Sequence, residues 1–144
     1  MRRRHALGLI VAAAIPAVAG AAVTESAPPR VIFGGPPPEL TAPDRPNEAP
    51  PAISAIWFSQ TAYAWGDLAR IALVTTTNVA LVEMRLIGYG RALTKKSLGH
   101  FDGLYRVPFM PPVLDRFHYA LPFRFIVRNP GGDAASFDVT VPVV

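Results

Sequence analysis

FHYALPFRFIVRNPGGDAASFDVTVPVV, Phe117 to Val144, decides the fold class. Leu121, Phe123, Phe125 and Val127 alternate with Pro122, Arg124, Ile126 and Arg128. Alternate side chains of a β-strand point to opposite faces, so this spacing predicts one buried and one exposed side. Phe137, Val139, Val141 and Val143 repeat the pattern against Asp138, Thr140 and Pro142. Asn129-Pro130-Gly131-Gly132-Asp133 lies between the two runs and reads as a hairpin turn, because glycine tolerates positive φ. Pro122 lacks an amide donor, so it belongs at a strand start, an edge or a bulge.

The same period runs backward from this hairpin. Ile53 to Phe58 reads as a first strand. Tyr63-Ala64-Trp65-Gly66-Asp67 marks a turn, Ala69, Ile71 and Leu73 then alternate with Leu68, Arg70 and Ala72, and Asn78 marks another turn. Val82, Met84 and Leu86 alternate with Glu83 and Arg85. Gly88 and Gly90 end or bulge that strand. Arg91 to Gly103 reads as a loop with one short strand at most, and Leu104 to Phe109 as extended chain. The expected architecture is an all-β antiparallel sandwich of about seven strands.

Particular stretches resemble bacterial immunoglobulin-like (Ig-like) domains. They are Trp65-Gly66-Asp67 leading into a strand, Gly99 to Pro108 with its glycine turn, and Tyr119 followed by an apolar strand, Asn129 and glycines. The resemblance spans about Trp65 to Val143 and implies an extracytoplasmic binding or spacing module. It departs from antibody-type domains in having no Cys…Trp…Cys core, and Pro130 interrupts the usual Asn-Gly turn.

Upstream the composition differs. Three arginines at positions 2–4 precede an uncharged apolar run from Ala6 to Val23 that closes on Ala17-Val18-Ala19 and Ala19-Gly20-Ala21. This is the layout of a secretory leader. An uncleaved anchor helix is the competing reading, opposed by Pro16 in its interior. Pro28 to Pro51 holds nine prolines in twenty-four residues, so it reads as an extended, disordered lead of about 75 Å at most. Val31-Ile32-Phe33 could dock on a sheet edge as an added strand. The expected organisation is a signal peptide over 1–22, a disordered linker over 23–51 and an Ig-like domain over 52–144. The protein is then exported, periplasmic or extracellular, and meets a membrane only if the leader stays attached.

Charge and chemistry narrow the function classes. The formal net charge is +4, but without Arg2, Arg3 and Arg4 eleven cations face ten acids, too even for strong release of counterions from nucleic acid. Cysteine is absent, which removes disulfides and thiolate chemistry. His100 and His118 would need Asp102 or Asp115 to hold a metal, at spacings that guarantee no shared site. Ser97, His100 and Asp102 crowd one loop and lack a G-x-S-x-G elbow. No cofactor, metal or catalytic set is expected.

Candidate contacts fall in two groups. A sheet face carrying Leu68, Ala72, Val74 and Ile126 is more apolar than a solvated face, which suggests an interface with another envelope or secreted protein, or with a second copy. Trp57 and Trp65, with Arg91, Lys95 and Lys96, could instead contact a small ligand or carbohydrate. That alternative expects a tryptophan exposed beside a groove.

Overall fold

The computed structural model describes residues 27–86, 89–108 and 120–144. The leader at 1–22, Gly88, Asp115, His118 and Tyr119 lie outside the described residues. Among the described residues nine strands form two sheets: β1 Arg30–Phe33, β2 Ile53–Phe58, β3 Leu68–Thr75, β4 Leu81–Leu86, β5 Tyr89–Ala92, β6 Thr94–Ser97, β7 His100–Arg106, β8 Ala120–Arg128 and β9 Ala134–Pro142. The first sheet has the order β1-β2-β3-β7-β6 and the second β5-β4-β8-β9. All pairings are antiparallel except β1 with β2.

The alternation read in the sequence sets the core. Leu121, Phe123, Phe125 and Val127 are buried from β8, and Val139 and Val141 from β9. Ile56 and Phe58, Ile71 and Leu73, and Val82, Met84 and Leu86 meet them from the other strands. Phe58 is the aromatic hinge of this core. Its ring stacks on Phe33 at 5.2 Å and meets Phe123 and Phe125 at 5.6 and 6.1 Å. Such pairs add about 0.5–1.5 kcal/mol each beyond area burial.

The hairpin closes as its residues demand. The Asn129 amide donates to the Asp133 carbonyl, the Asp133 amide donates to Asn129 Oδ1, and Gly132 takes φ +91. Pro122 is the third residue of β8, and the described β4 pairing stops one residue later at Phe123.

Nine strands stand where about seven were expected, and the added ones show what composition hides. Arg91 to Gly103 is strand for most of its length. β5 pairs with β4 and β6 with β7, so the chain changes sheets at buried Leu93, whose amide donates to the Val82 carbonyl. Every residue of β5 and β6 is exposed. An edge strand with both faces in solvent has no apolar alternation to read.

The larger correction concerns the proline stretch. From Ala27 to Pro51 it is laid on the sandwich and is not a disordered linker, so the folded unit begins well before residue 52. β1 joins the edge of β2, with Val31 and Phe33 packed against the core. Gly34 and Gly35, at φ +76 and +72, turn the chain outward. The following prolines cross the outer face of the first sheet as a strap. Proline cannot donate to a ladder, but a covering segment needs only a few bonds at its ends, and a stiff chain loses little entropy on docking.

Candidate functional site

The strap accounts for the apolar outer face of the first sheet. Outward on β2 and β3 are Ala55, Trp57, Ala72 and Val74, opposite in pleat to core residues Ile56, Phe58, Ile71 and Leu73. Pro37 and Pro38 share a small hollow with Ala55, Ala72 and Val74. Ala42 sits where a Gly99 side chain would be, and the Thr75 carbonyl lies 2.6 Å from that same point. Trp57 is only 3 % exposed. Its indole N–H donates to the Gly34 carbonyl at 3.2 Å, and the Arg70 guanidinium stands 5.7 Å over its ring.

A polar cluster at one end of the sandwich fastens the strap. The Thr77 amide donates to the Pro43 carbonyl, and the Arg45 amide donates to Thr77 Oγ1 at 3.0 Å. Thr77 Oγ1 in turn donates to Asp44 at 2.8 Å. The side-chain amides of Asn78 and Asn129 both donate to the Ala49 carbonyl, at 2.6 and 3.1 Å. Thr76 Oγ1 donates to Asn78 Oδ1 at 2.6 Å and accepts from the Ala52 amide at 3.1 Å. Thr75, Thr76, Asn78 and Asn129 are buried, and among the described residues no buried side-chain polar atom lacks a partner. Asn78 and Asn129 read in the sequence as turn residues; their second duty, holding chain twenty-nine and eighty residues away, has no local signature.

The predicted contact residues are therefore redistributed. Leu68, Ala72 and Val74 lie on the outer face of the first sheet, whereas Ile126 is on the outer face of the second, beside Glu83 and Ser136. They are not one patch. Val74 is buried, and of the four only Leu68 is exposed, at 48 %. Trp57 is under the strap and lines no open groove; Trp65 is half-buried against the core. Lys95 Nζ reaches the Val79 carbonyl at 3.5 Å and lies 6.0 Å from the Phe101 ring, while Lys96 pairs with Asp102 at 3.6 Å. Arg91 donates to the Leu104 carbonyl at 3.3 Å. Ser97 and His100 are register partners across the β6–β7 turn, but among the described residues no side-chain hydrogen bond links Ser97, His100 and Asp102. Among those residues, too, no three His, Asp or Glu side chains gather at metal-binding distance.

Tyr63 is a residue the sequence reading placed in a turn. It is fully buried, its hydroxyl lies 3.2 Å from Ser59 Oγ and accepts from the Gln60 amide, and its backbone bridges to Val143.

Among the described residues, three open surfaces offer groups for contact. The first is the β9 edge: nine residues long, it has among the described residues no strand on its outer side along Ala134–Val141. A groove of about 440 Å³ runs beside it, lined by Ala135 to Phe137, Ala27 to Pro29 and Pro51 to Ile53. The second is the corner between β5 and β7, a groove of about 540 Å³ lined by Tyr89, Arg91, Tyr105 and Arg106. The third adjoins it on the outer face, about 480 Å³, with Arg70, Arg91, Lys96 and Asp102. Burial pushes the Tyr105 phenol up, with Tyr89 adding to the shift. Comparison of the chain with protein-family models, curated proteins and solved structures gives no match.

Proposed function

We propose that this chain is an exported, non-catalytic module of Ig-like type that binds or positions another envelope or secreted protein. The partner adds an extended segment to the β9 edge. The observation that carries this is the contrast among the four sheet edges. β1, β5 and β6 are four residues each, and they carry the features that block strand addition: Pro28 and Pro29 before β1, Arg91 in β5, Lys95 and Lys96 in β6. β9 is more than twice as long and carries no lysine or arginine. Its unpaired backbone groups can hydrogen-bond an incoming strand, and the neighbouring groove can take alternate side chains. The leader-like N-terminus supports the export part of the reading.

The test is strand blocking. A partner captured by cross-linking from the native envelope should be lost with Ser136→Lys and Thr140→Lys together, and kept with Thr94→Lys on β6. Ser136 and Thr140 are solvent-facing, so the fold should survive. Addition of the purified partner should also slow amide exchange along β9. Capture that is indifferent to the β9 lysines would overturn the proposal.

A further inference from the structure

We infer that the open corner between β5 and β7 binds an acidic saccharide chain, with sugar carboxylates on Arg91 and Arg106 and a sugar ring against Tyr89. This site is separate from the β9 edge and does not depend on it. Tyr89 and Arg91 are register partners of the core residues Leu86 and Met84, so they face the opposing sheet from an edge beyond which no further strand lies among the described residues. Tyr105 forms the floor, its ring edge-on to Phe123 at 5.8 Å. The groove's volume of about 540 Å³ is within the usual range for ligand sites, about 300–1,000 Å³.

The two arginines are held ready. Arg91 Nη1 donates to the Leu104 carbonyl at 3.3 Å, and Arg106 Nη1 to the Gly66 carbonyl at 3.0 Å. Each guanidinium keeps further N–H donors, in a fork that matches a carboxylate. Among the described residues the ion pairs are Arg85 with Glu83, Lys96 with Asp102 and Arg124 with Asp138, so neither Arg91 nor Arg106 has an acidic partner there. Tyr89 is 74 % exposed, a flat apolar surface at the mouth of a cationic groove. Sugar rings stack on such faces, and the phenol at Tyr105 stays protonated at neutral pH and able to donate a hydrogen bond.

The ligand is a chain because the site continues. Arg91 also lines the hollow on the outer face, where Arg70 and Lys96 add two cations and Asp102 the one acid. Spaced carboxylates on a linear glycan would meet these cations in turn.

Calorimetric titration of the whole protein tests this with oligogalacturonate, oligomannuronate and hyaluronan oligosaccharides, each beside its methyl-esterified neutral form. At least one acidic form should bind, weaken with added salt, and lose about tenfold in affinity with Arg91→Gln or Arg106→Gln, the scale of one charge-assisted hydrogen bond. Tyr89→Ala should weaken it as well. Arg30→Gln, on the far edge, should change nothing. Thermal melts and near-ultraviolet circular dichroism confirm that each variant is folded, and Tyr89, being exposed, is the variant least able to disturb the core. The inference is overturned if no acidic oligosaccharide binds, or if the esterified forms bind equally. It is overturned also if poly-glutamate binds as tightly as the best glycan with the same sensitivity to the variants, which would make the corner a general polyanion surface.

Discussion

The outer faces of the two sheets are built on opposite plans. The first sheet turns Ala55, Trp57, Ala72 and Val74 outward and covers them with its own proline strap. The second turns out Arg85, Arg124, Ser136, Asp138 and Thr140 into water, with half-buried Glu83 and Ile126 among them, Glu83 paired to Arg85 at 2.7 Å and Asp138 to Arg124 at 2.8 Å. An apolar sheet face therefore does not by itself mark a partner. Here the missing cover is supplied by residues 36–51 of the same chain, and it is the edges that we propose for a partner.

Substitutions on the two faces should differ sharply. Trp57→Ala removes a buried indole and its bond to Gly34, and should cost about 3–5 kcal/mol in urea denaturation. Arg124→Ala, at an equivalent outward position of the second sheet, should leave the melting temperature close to that of the parent, because exposed ion pairs contribute little. Gly99→Val should cost about 2–3 kcal/mol, since φ +74 disfavours a side chain and Ala42 already fills the space. If the strap is truncated, only the backbone part of that cost should remain. Asn129→Ala should cost about 1–2 kcal/mol by taking the acceptor from the Asp133 amide, which loosens the hairpin, and one of two donors from the Ala49 carbonyl, which keeps Asn78.

The smallest expected effect is the second sheet's response to acid. The hydrogen bond from Arg85 holds the Glu83 carboxyl below its ordinary value, and that from Arg124 does the same for Asp138. A depressed carboxyl contributes stability that is present above its unfolded-state pKa and is lost as pH falls through the folded value. Urea midpoints should thus drop slightly in acid, below the ordinary carboxylate range. Arg124→Gln should flatten part of that drop, and salt should do likewise.

Much of this was legible in the chain. The alternation of Leu121 to Val127 and of Phe137 to Val143 placed the closing hairpin, because a strand with one wet and one dry face writes its period into the sequence. Val31-Ile32-Phe33 was recognisable as a strand that could be added to an edge. β5 and β6 were not visible, because their ladder bonds are made by backbone and their side chains, such as Lys95 and Lys96, are polar on both faces. The strap was misread because proline content reports stiffness and a lack of donors, not whether a stiff segment finds a surface. Its docking depends on Gly99, Thr77, Asn78 and Asn129, all far away in sequence. The same blindness assembled Leu68, Ala72, Val74 and Ile126 into one patch, since alternation assigns a side of a strand but not which sheet that strand joins.

Residue-resolved amide hydrogen exchange on the unliganded protein tests the central claim, that the proline stretch is part of the fold and confines contact to the open edges. The Gly34 amide donates to the Phe58 carbonyl at 2.8 Å and the Thr77 amide to the Pro43 carbonyl at 3.0 Å, bonds that exist only while the strap is docked. Both amides should exchange as slowly as core amides of β3 and β8. Exchange at Gly34 and Thr77 near the unprotected rate, with β3 and β8 still protected, would show the stretch to be a loose lead and the apolar face of the first sheet to be open to a partner after all.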